Sequence, residues 1–72
     1  MKLTAIQTQQ LESLIDDSSL AEVLAALVEI CDGKAEHLSS NWQDGPGAGY
    51  WLKASRAIER TAARDSIRNV SL

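Results

Sequence analysis

Lys34, His37, Asn41 and Trp42 bring a cation, a titratable ring, an amide and an indole to one shoulder of a helical repeat. The first three follow at steps of three and four, with Trp42 beside them. This set could form a polar pocket for a small ligand, or a pH-sensitive interface around His37. Equally, it could be a wet shoulder whose polar side chains cap a core or bind backbone at a turn. It does not have the makings of a metal site: there is one histidine, no cysteine partner and no Glu-x-x-His spacing, and Glu36 points away from its neighbour His37. Ser39 and Ser40 lie close to His37 in sequence, but no acid stands where it could orient the ring for nucleophilic attack. The sequence therefore reads as non-enzymatic, with no catalytic residue, metal or cofactor.

A second pattern is basic. Arg56, Arg60, Arg64 and Arg68 recur every four residues, and Lys53 falls on the same side. On a helix they make one cationic stripe, suited to phosphate or to an acidic partner. The whole chain carries a net charge of −3 and has no groove-reading motif, which sets nucleic acid behind an acidic protein as partner. The charge is divided: residues 1–44 hold eight acids against two lysines, whereas residues 45–72 hold five bases against two acids. Since Glu22, Glu29 and Glu36 share the outer face of the preceding helix, another copy of the chain could itself present the acidic face. Cations late in a helix also suit its dipole, so a plain solvated face remains the simplest account of the stripe.

The elements that must position these residues are helices. Ser19 and Glu22 form a capping-box signature. Leu20, Leu24, Leu27, Cys31, Ala35, Leu38 and Trp42 then follow at helical spacing, predicting one long helix over 19–44. Gly33 lies on the solvent side of this stripe, and the phase continues across it, which argues against a break. Thr4 and Gln7 predict a short first helix over 5–16, with Leu11, Leu14 and Ile15 as a narrow apolar face. The Gly45–Gly49 run, with Pro46 inside it, predicts a turn. It is not a phosphate loop, because a helix precedes it and no lysine closes the motif. A last helix over 48–65 would pack through Trp51, Ala54, Ser55, Ile58, Thr61 and Ala62, with Trp42 and Trp51 closing the turn and residues 66–72 as a frayed tail.

Seventy-two residues allow a single domain, 1–72, and a chain of this size is marginal alone. Its single cysteine, Cys31, falls within the apolar stripe and reads as a buried free thiol, which fits the reducing cytoplasm. No signal peptide or membrane span is expected. Aromatic residues make up only 4% of the chain, so its core rests on alanine and leucine and would gain from a second copy.

The run Ile30-Cys31-Asp32-Gly33-Lys34-Ala35-Glu36-His37-Leu38-Ser39-Ser40-Asn41-Trp42-Gln43-Asp44 resembles a group of short bacterial proteins with a Lys-Ala-Glu-His…Asn-Trp-Gln-Asp core and no known activity. Trp51 and Ala57-Ile58-Glu59 are similarly spaced after that core, so the likeness spans residues 20–63. It implies an all-helical bacterial protein and no particular substrate.

The expected architecture is all-α: a short N-terminal helix, then a long antiparallel helical hairpin that dimerises into a four-helix-type bundle. Leu24, Leu27, Cys31 and Leu38 would serve the core and self-association. The expected function is a self-associating interaction or regulatory module that binds a protein partner through helix faces. The alternatives are a small nucleic-acid-associated regulator using Lys53, Arg56, Arg60 and Arg64, and a small-ligand binder at Lys34, His37, Asn41 and Trp42.

Overall fold

A computed structural model describes residues 1–70. The chain is all-α: α1 spans Ala5–Asp17, α2 Leu20–Asn41, α3 Gly45–Ala62 and α4 Asp65–Arg68. α2 packs chiefly on α3 as an antiparallel hairpin, while α1 and α4 touch α2 lightly.

Local chemistry sets the helix starts. Thr4 Oγ1 accepts the Gln7 N–H at 3.1 Å, and Gln7 Oε1 accepts the Thr4 N–H at 2.9 Å, a complete capping box. Ser18 closes α1 by donating its hydroxyl to the Leu14 carbonyl at 2.7 Å. Ser19 then caps α2, accepting the Glu22 N–H at 3.1 Å. α2 runs unbroken through Gly33, as the phase of its stripe predicts.

The second connection differs from expectation. α2 stops at Asn41, short of Asp44, and α3 begins at Gly45 rather than Ala48. Gln43 adopts a left-handed conformation (φ 51°), and the Asp44 N–H reaches back to the Leu38 carbonyl at 2.9 Å. Asp44 then caps α3, with its Oδ1 accepting the Gly47 N–H at 3.0 Å. Proline is tolerated in a first helical turn, whose N–H groups have no carbonyl partner within the helix, so Gly45-Pro46-Gly47 opens a helix instead of forming a turn. Every described positive φ belongs to Gln43, and none to a glycine.

α3 also ends earlier than expected, at Ala62. Another turn of helix would carry the Asp65 carboxylate into the packed face. The backbone instead becomes extended at Arg64 (φ −72°, ψ 143°), and Asp65 moves to the first turn of α4, where the helix dipole favours an acid. The expected frayed tail therefore contains one further helical turn, on which Ile67 is half-buried. Residues 71–72 of that tail lie outside the described residues.

The hairpin seam is made of small side chains. Among the described residues, Cys31 and Ala35 of α2 and Ala48 and Ser55 of α3 are the buried ones. Leu24, Leu38, Ile58 and Ala62 flank them, half-buried. Leu24, Cys31 and Leu38 on one helix, and Ala48, Ser55 and Ala62 on the other, each repeat every seven residues, the spacing of a coiled-coil seam. Leu27, Trp51, Ala54 and Thr61, expected on the packed faces, are exposed instead. The chain is also extended for its size: its radius of gyration is 14.1 Å, against roughly 11 Å for a compact domain of this length.

Candidate functional site

Among the described residues Ser55 is the one fully buried side chain, 0% exposed, and its hydroxyl donates to Asp32 Oδ1 at 2.6 Å. This short, charge-assisted bond is the polar link across the α2–α3 seam. It fixes the register: with Asp32 beside Ser55, an antiparallel pairing brings Leu24 to within a residue of Ala62 and Leu38 to within a residue of Ala48, a large side chain near a small one at each end. Ser55 was expected on the inner face, but its partner was not foreseen. Asp32 stands about 100° round the helix from Cys31, at the edge of the apolar stripe. An acid flanking an apolar stripe, opposite a serine on the partner face, was the available clue.

His37, Asn41 and Trp42 do come together, at the C-terminal end of α2. Trp42 Nε1–H donates to His37 Nε2 at 2.9 Å, and the Asn41 amide lies 2.7 Å from His37 Nδ1. The indole can only donate, so Nε2 must be the unprotonated nitrogen. The neutral ring then carries its proton on Nδ1, and Asn41 must meet it with its carbonyl oxygen. The three side chains thus satisfy one another on the exposed side of the helix. Trp42, 70% exposed, folds back onto its own helix and does not close the hairpin with Trp51 as expected. Lys34 lies on the same side of α2 but is exposed and takes no part in this chain of bonds. Ser40 spends its hydroxyl on the Glu36 carbonyl at 2.7 Å, so it is not aimed at His37. Cys31 is a buried free thiol within the seam.

The cationic stripe is shorter than the four-residue repeat implied. Lys53, Arg56 and Arg60, with Leu52, border one open depression of about 420 Å³ on the outer side of α3. Arg64 sits at the bend and Arg68 on α4, because the helix that would have aligned them ends at Ala62.

The largest departure from a finished fold is apolar. Leu11 and Leu14 of α1 and Val23, Ala26, Leu27 and Ile30 of α2 line a groove of about 350 Å³, with Ser18 and Glu22 at its edge. Leu14 is 56% exposed and Ile30 54%. Val23, Ala26 and Ile30 face about a quarter-turn or more away from the α3-facing stripe, so α2 is apolar on two sides. Further along α2 this second side becomes Lys34, His37 and Asn41.

Among the described residues no group of three or more His, Cys, Asp or Glu side chains could hold a metal ion, and no helix is long and apolar enough to cross a membrane. In comparisons with protein-family models, curated proteins and solved structures, no match to this chain is found.

Proposed function

We propose that this chain is a non-catalytic interaction module, acting in the bacterial cytoplasm, that self-associates and binds a protein partner through its helix faces. The observation that supports this reading is α1. It carries a full capping box and an apolar face, yet it buries no residue of its own. A helix of 13 residues is marginal in water by itself and gains its stability from covering an apolar face. α1 and the second apolar side of α2 are built for a contact that one copy of the chain does not make. The Lys53/Arg56/Arg60 face adds a separate surface suited to an acidic protein.

A non-catalytic role is supported by what the reactive groups do. The imidazole nitrogens are occupied by neighbours on the same helix, Ser40 is bonded to backbone, and Cys31 is packed in the seam. The nucleic-acid reading is weakened by the loss of Arg64 and Arg68 from the stripe.

The test is thermal unfolding followed by circular dichroism over a wide range of protein concentration. A module that folds with a partner copy gains stability by mass action, so its midpoint rises with concentration. A concentration-independent midpoint, with no protein ligand able to raise it, contradicts the reading.

A further inference from the structure

We propose that the groove between α1 and α2 is covered by α1 and α2 of a second copy of this chain, related to the first by a two-fold axis. The inference rests on the reading of the chain as an interaction module and names the face and the occupant.

The first support is area. A folded monomer of 7.8 kDa exposes roughly 4,400 Å². This chain exposes 5768 Å², a surplus of roughly 1,400 Å². Two such surpluses laid against each other remove roughly 2,800 Å² from water, within the range of obligate homodimers. Leu11, Leu14, Val23, Leu27 and Ile30 set large apolar side chains along this groove, while further exposed ones lie at the start of α1 and on α3.

The second support is charge. Asp16 and Asp17 end α1, and Glu22 stands at the same end of the groove. Lys34 lies one helical turn beyond Ile30, at the other end. With the two-fold axis perpendicular to α2, the helix runs antiparallel to its copy. A crossing near Ala26 and Leu27 then carries each Lys34 toward the acidic corner of the other chain. The same surface, turned upon itself, is apolar at the centre and complementary at both ends, as an isologous interface requires. A heterologous contact with the basic face of α3 would leave both outer surfaces open and build a chain of molecules rather than a closed pair.

Sedimentation of the wild type, Leu14→Glu, Ile30→Glu and Arg56→Glu tests this, with circular dichroism on each. Leu14 and Ile30 are more than half exposed in the single chain, so their replacement by glutamate leaves the hairpin helical. The wild type and Arg56→Glu are expected to sediment at twice 7.8 kDa. Each groove variant is expected to raise the dimer dissociation constant by roughly a hundredfold or more. If the groove variants dimerise like the wild type, the face is wrong, while the interaction-module reading stands. If the wild type is monomeric at every concentration, the second copy is the wrong occupant. If it is also unresponsive to any protein ligand, the module reading falls as well. Isotope-filtered NOEs on mixed labelled and unlabelled wild type give a readout without substitution. Intermolecular contacts at the Leu14, Leu27 and Ile30 methyls support the proposal, and contacts confined to α3 overturn it.

Discussion

At the scale of single residues, two hydrogen-bonded sets carry most of the specificity. Ser55 donates to Asp32 from a wholly buried position, so deleting its hydroxyl leaves a half-buried carboxylate short of a partner. Ser55→Ala is expected to lower unfolding free energy by about 1.5 kcal/mol, measured in urea. The loss should vanish in an Asp32→Ala background if the pair is the cause. His37 makes a different prediction. His37→Ala removes the acceptor that holds the Trp42 indole N–H. The substitution should therefore release Trp42 and change the tryptophan fluorescence. Since Trp51 makes no such bond to His37, an unchanged spectrum would refute the assignment.

At the scale of elements, the backbone holds an inversion of the usual residue choices. Gly33 sits in the middle of α2, where a Cβ would meet nothing within 4 Å. Gln43 holds the left-handed position that favours glycine. Gly33→Ala should stabilise the chain by about 0.5–1 kcal/mol. Gln43→Gly should do so by about 1 kcal/mol if relief of the left-handed strain outweighs the added freedom of the unfolded chain. Denaturant midpoints read both, and a destabilised Gly33→Ala would mean that Gly33 is needed for a contact outside the single chain. These details also show what could be read before the structure. The first three helices, their order and the passage of α2 through Gly33 were legible because caps and periodicity are local. The helix ends near residues 41–48 were not, because Gly-Pro-Gly serves a turn and a helix start equally well, and the choice fell to the Asp44 side chain. The polar trio of His37, Asn41 and Trp42 was legible from spacing. The Asp32–Ser55 pair was not, because its register depends on how two helices slide past each other.

At the scale of the whole molecule, the hairpin is closed by a thin seam and the rest of the apolar surface is open. Leu27 shows why the sequence understates this. It belongs to the same run of helical spacings as Leu24 and Cys31, yet in the fold it turns to the α1 side and remains exposed. A helix with two apolar sides has two neighbours to satisfy, and α1 covers its side only in part. The central claim is that a second copy completes this cover. Amide hydrogen exchange of α1, followed as protein concentration is raised, tests it most directly. The account predicts that protection of the Gln7–Asp16 amides rises with concentration, together with those of Ala26–Ile30, while the Trp51–Ile58 amides in the hairpin respond only as the global stability does. Protection in α1 that stays at the level of a fraying helix at all concentrations, in a chain whose hairpin is well protected, would contradict it.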